Sequence, residues 1–131
     1  MAQFTDPRPG SWPEKFRRAV RGLAWGLRTE RNFYVHLTAA TAVVGAAIVL
    51  GASRLEWCAL VLCISVVLGA ELFNTAIERL ARAVTRDHNE QVRDALDTSS
   101  GAVLLVAIGA AVVGLLVLGY RLGCLLKWWS G

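Results

Sequence analysis

Glu71, Asn74 and Glu78 stand at i, i+3 and i+7 in "LGAELFNTAIERL", Leu68 to Leu80, where a long apolar run gives way to charge. On a helix that spacing makes one polar stripe over about two turns, roughly 10 Å. A charge at mid-span costs about 2.5–3.5 kcal/mol on insertion scales. Glu71 lies nearer the end of the run, so its cost is smaller but real, and Glu78 is expected at or beyond the interface. A carboxylate kept inside a span is by default a functional residue. The competing reading is a helix–helix hydrogen bond through Asn74, with Glu78 merely solvated.

The composition says what must carry this stripe. The chain has 131 residues, 55% of them hydrophobic, with a mean hydropathy of +0.46. That is one domain's worth of sequence and too apolar for an ordinary soluble domain. Its apolar bulk is Ala, Val, Leu, Ile and Gly, as in closely packed transmembrane helices. The net charge of +4 sits beside the apolar runs, the pattern that sets membrane topology, so nucleic acid is not an expected partner. Cys58, Cys63 and Cys124 form no CxxC pair and read as small buried hydrophobes, with no support for a metal or disulfide framework.

Residues 1–12 read as a flexible lead without the apolar core of a signal peptide. Pro13 suits a first helical turn. After it, "EKFRRAVRGLAWGLR" sets Phe16, Val20, Leu23, Ala24 and Leu27 against Lys15, Arg18, Arg21 and Arg28. This predicts a basic amphipathic helix over about 13–29 on a membrane surface, with Trp25 as an interfacial anchor. A solvated helix packed on the domain is the alternative. Three spans are expected at about 33–51, 56–80 and 98–122. "GASRLE" is a tight loop, and the helix of the second span continues through "ERLARAV". The polar "TRDHNEQVRDALD" leads to a third span that begins near Thr98 or Ser99. Residues 127–131 form an interfacial tail with Trp128 and Trp129. The expected fold is all-α and integral to a membrane: a surface helix plus three transmembrane helices in one domain, 13–126. Seven Lys and Arg precede the first span and four lie between the second and third, which puts the N-terminus and that connection in the cytoplasm. Three helices enclose little alone, so self-association is expected; GxxxG at Gly119–Gly123 is a weak sign of it.

That topology brings Glu30 and Asp97 to the same cytoplasmic rim as Glu78. Carboxylates gathered without matching lysines suit a hard cation such as Mg²⁺, which usually comes with phosphates. Arg28, Arg31, Arg79, Arg82 and Arg93 can neutralise phosphate oxygens. A metal clamp, charge neutralisation and one deeper carboxylate are the parts of phosphoryl transfer. The chain holds no GxxxxGK[ST] and no kinase-type GxGxxG, so any nucleotide site is of another kind.

"RTERNFYVH", "ELFNTAIE" and "ALDTSSGAV", at these separations, resemble the small prokaryotic diacylglycerol kinase family, which includes the undecaprenol kinases. The resemblance runs from about Phe16 to Leu118. It implies a multi-pass enzyme of the bacterial cytoplasmic membrane, homotrimeric, with sites between subunits at the cytoplasmic face. It implies transfer of the γ-phosphoryl of MgATP to the hydroxyl of a membrane lipid. Glu71 then matches the general base. Glu30 and Glu78 match the metal-binding carboxylates that hold the ATP phosphates. Asn74 and Asp97 match nucleotide-site residues, and His88 and Asn89 fall in the variable loop near the adenosine end. By the same resemblance Asn32 and Ser100 join Glu71 on the lipid side.

One position departs from the family. Where the family usually reads A-K-D, this chain reads Ala95-Leu96-Asp97. Leucine offers phosphate neither charge nor donor. Arg93, one turn earlier, is expected to compensate. The alternatives are a different donor, or a lipid-binding scaffold that phosphorylates poorly. The lipid itself stays open between undecaprenol and diacylglycerol. His36 reads either as a lipid contact or as an interhelix hydrogen bond, and Ser99 and Ser100 either as headgroup ligands or as caps of the third helix. A channel or proton carrier using Glu71 is disfavoured, because the outer halves of the spans hold almost no polar residues.

Overall fold

The computed structural model describes residues 10–128. Trp129 and most of the N-terminal lead lie outside the described residues. The described chain is four helices and no strand: α1 Trp12–Thr29, α2 Arg31–Val49, α3 Arg54–Val84 and α4 Glu90–Leu125. The last three are each long and apolar enough to cross a membrane.

Local chemistry explains each boundary. Glu14 accepts from the Ser11 backbone N–H at 3.1 Å, and a proline stands in the first turn of α1, where its missing N–H costs nothing. Glu30 ends α1 and begins α2 in extended conformation, φ −110°, so one residue makes the whole bend. After α2 the chain turns through Gly51 at φ +64°, a conformation glycine adopts without strain. Ser53 and Glu56 then open α3 reciprocally: Glu56 accepts from the Ser53 N–H at 2.6 Å, and Ser53 Oγ accepts from the Glu56 N–H at 3.4 Å. This capping box fixes the start of a helix about 46 Å long.

The start of α4 corrects the sequence reading. The connection is only residues 85–89, and the polar stretch 90–97 is helical. Asn89 sets this: its Oδ1 accepts from the N–H groups of Gln91 at 3.0 Å and Val92 at 3.2 Å. A good cap starts a helix ahead of its apolar face. Ser99 and Ser100 therefore lie well inside α4 and cap nothing.

α3 is the central rod, and α2 and α4 pack on it. Its buried residues are Leu60, Val67, Glu71, Asn74 and Thr75. Phe33 and Ala47 supply the buried face of α2. α1 meets α3 at Gly26, where a Cβ would come 2.5 Å from Leu72 Cδ2; the absent side chain allows the approach. At the opposite end of the bundle Arg121 of α4 grips Glu56 of α3, its Nε donating to Oε2 at 2.9 Å and its Nη2 to the same oxygen.

Candidate active site

The stripe on α3 faces inward. Glu71 is 3% exposed and Asn74 is 6% exposed, so the carboxylate and the amide are buried between helices. Asn74 uses both ends of its amide. Its Nδ2 donates to Glu78 Oε1 at 2.9 Å. Its Oδ1 accepts from Ser99 Oγ at 2.7 Å and from Ser100 Oγ at 3.4 Å. The amide thus ties the stripe to α4, and this tie is what the corrected start of α4 makes possible. Asn74 therefore makes the interhelix hydrogen bond and at the same time holds the Glu78 carboxylate.

Arginines hold the rim. Arg79 Nη2 donates to Glu30 Oε1 at 2.8 Å, bringing the α1–α2 bend against the turn of α3 that carries Glu78. The same guanidinium lies over the Trp25 ring, 4.7 Å from its centroid. Arg82 Nη2 donates to Glu78 Oε2 at 3.2 Å. Such charge-assisted bonds orient a carboxylate while leaving lone pairs for another ligand. The sequence offers Arg79 and Arg82 among the arginines able to neutralise phosphate; here their partners are Glu30 and Glu78.

Glu71 is placed differently. The one ion-pair contact it makes among the described residues is with His36 of α2, Nε2 to Oε2, at 3.8 Å. That is longer than a direct hydrogen bond.

The other expected site residues stand apart from this cluster. Asp97 and Arg93 are exposed on α4, and Arg93 pairs with its neighbour Asp94 at 3.3 Å. Asn89 is engaged as the cap of α4. Asn32 is exposed in the first turn of α2. Leu96 is half-buried in an apolar groove with Leu80, Ala81 and Val84 of α3, which gives the substitution a packing role. Among the described residues no three His, Cys, Asp or Glu side chains gather as a metal cage. Two part-exposed carboxylates, Glu30 and Glu78, still fit a Mg²⁺ ion, which takes one or two carboxylates and completes its shell with phosphate and water.

A bundle of membrane-length helices with a buried carboxylate below an arginine-held rim defines a small membrane protein with one polar site at one end. The family model for prokaryotic diacylglycerol kinase matches residues 17–118, and the chain belongs to that family. It is similar to the undecaprenol kinase of Bacillus subtilis (strain 168), 36% identical over 104 residues, which cover 79% of this chain and 85% of that one. It is also similar to a diacylglycerol kinase of Synechocystis sp., 37% identical over 112 residues; the match takes in 85% of this chain but 59% of that one. No solved structure matches. The chain is accordingly a lipid phosphotransferase of the membrane, and membership of a kinase family implies a nucleotide phosphoryl donor.

Proposed function

We propose that the protein transfers the γ-phosphoryl group of MgATP to the hydroxyl of a membrane lipid, undecaprenol or diacylglycerol, with Glu71 as general base. The observation that carries this reading is a carboxylate 3% exposed on a membrane-length helix, seven residues from a rim carboxylate on the same face. The lipid hydroxyl gives its proton to Glu71 as its oxygen bonds to the γ-phosphorus. The bond from that phosphorus to the bridging oxygen breaks, and ADP leaves with the electron pair. Glu30 and Glu78 would hold Mg²⁺, which when bound neutralises phosphate charge. Asn74 orients Glu78 through its 2.9 Å bond. Asp97, Arg93 and Asn89 belong to the nucleotide side in this scheme, and Ser100 and Asn32 to the lipid side. The trimer, the membrane-lying α1 with its exposed Phe16 and Trp25, the cytoplasmic N-terminus and the bacterial cytoplasmic membrane are parts of the same proposal. Label transfer from ATP in mixed micelles, to diacylglycerol, to undecaprenol or to neither, tests it; transfer to neither lipid would end it.

A second reading is a lipid-binding scaffold, or a kinase with a weak or atypical donor. Leu96 favours it, because a half-buried leucine in an apolar groove stands where the family's phosphate-binding lysine would be. With ATP bound in the family's manner, Leu96→Lys lowers the KM for ATP. An unchanged or raised KM favours a rebuilt donor site.

A further inference from the structure

A lipid acceptor must bring a hydroxyl to Glu71 and also store a hydrocarbon body. α2 and α4 each pack on α3 but touch each other sparsely. Between them runs a groove of about 680 Å³. Ala40 and Val43 of α2 and Ala110 and Gly114 of α4 form its walls, and Val67 and Leu68 of α3 its floor. His36 is the one polar residue among the described residues that line it. From His36 to Leu50 it extends about 21 Å, most of a hydrocarbon core. An apolar lane of that length, with one histidine at its polar end, suits a flexible hydrocarbon chain.

Its polar end meets the site. Val67 and Leu68 lie one turn before Glu71, and His36 Nε2 stands 3.8 Å from Glu71 Oε2. That gap is too long for a direct bond, yet a hydroxyl oxygen about 2.8 Å from both atoms closes it. With the proton on Nε2, His36 donates to that oxygen while the hydroxyl donates to Glu71. We infer that the groove between α2 and α4 is the acceptor lane, holding one hydrocarbon chain of a lipid alcohol, and that His36 positions its hydroxyl on Glu71. This rests on Glu71 being the base.

The test is steady-state kinetics of the full chain in mixed micelles, varying lipid and ATP separately. His36→Leu removes the donor. It lowers kcat/KM for the lipid about 10- to 100-fold and leaves the KM for ATP unchanged. His36→Gln, which keeps an amide donor, recovers most of the loss. Gly114→Leu puts a side chain into the lane, where a Cβ at residue 114 meets nothing within 4 Å. It raises the KM for undecaprenol or dioleoylglycerol more than for farnesol or dihexanoylglycerol, and the oligomer mass is unchanged. Wild-type lipid kinetics in His36→Leu would overturn the inference. So would equal effects of Gly114→Leu on long and short acceptors, or an altered oligomer mass, the sign that a second copy fills the lane. Glu71→Gln separates the two levels. If it still transfers phosphate, the base reading fails; if it is dead beside a wild-type-like His36→Leu, only the inference fails.

Discussion

Two carboxylates of α3, Glu56 in its first turn and Glu71 near its middle, are treated in opposite ways. Glu56 is closed: Arg121 donates to it from both Nε and Nη2, and the Ser53 N–H donates to it as well. Glu71 is more deeply buried yet has only a 3.8 Å approach from His36. An enclosed carboxylate that is already satisfied serves the fold. In the proposed scheme Glu71, which takes no direct hydrogen bond from a described side chain, is the one held for a ligand. Glu30 and Glu78 lie between these extremes, each held by one arginine on a part-exposed rim.

Mutations at these two carboxylates should therefore separate activity from stability. The largest effect belongs to Glu71→Gln. Loss of a general base lowers kcat about 10²- to 10⁴-fold, and this variant keeps its oligomer mass and its unfolding midpoint. Turnover close to wild type would erase the distinction between Glu71 and Glu56. At the closed end, Glu56→Ala leaves Arg121 unpaired between helices. Its thermal midpoint in detergent falls while kcat is kept, and the exchange Glu56→Arg with Arg121→Glu recovers part of the fall. A kcat that drops in parallel with stability would show that the two carboxylates are not independent. Asn74→Asp sharpens the middle ground. It removes the donor to Glu78 and sets two carboxylates side by side, lowering kcat/KM about tenfold or more. The smallest effect is that of Gly26→Ala, whose added methyl meets only the flexible tip of Leu72. It shifts stability by about 1 kcal/mol or less, measured by chemical unfolding in micelles.

The deep half of this comparison was legible in the residues alone. Glu71, Asn74 and Glu78 announce themselves because charge at the end of an apolar run is costly and helical spacing aligns it. The three membrane-length helices follow from hydropathy in the same way. The closed half was not legible. Glu56 and Arg121 are 65 residues apart, and each reads alone as an ordinary charge beside a span; only the antiparallel pairing of α3 with α4 joins them. The Ser99 tie was hidden for a related reason. A polar stretch such as 90–97 has no apolar face to reveal it as helix, so the serines could be read as caps as readily as headgroup ligands until the Asn89 side chain fixed where α4 begins. The nearness of His36 to Glu71 depends on how α2 is rotated against α3, which periodicity does not specify at a single histidine.

α3 and α4 are joined by polar ties at two levels, Glu56 to Arg121 and Asn74 to Ser99. Along α3 these lie about 27 Å apart, close to the thickness of a hydrocarbon core. Two rods tied at both levels resist sliding past one another. When the surrounding bilayer thins or thickens, the pair then tilts more readily as one body than it shears, which couples the depth of Glu71 to membrane thickness.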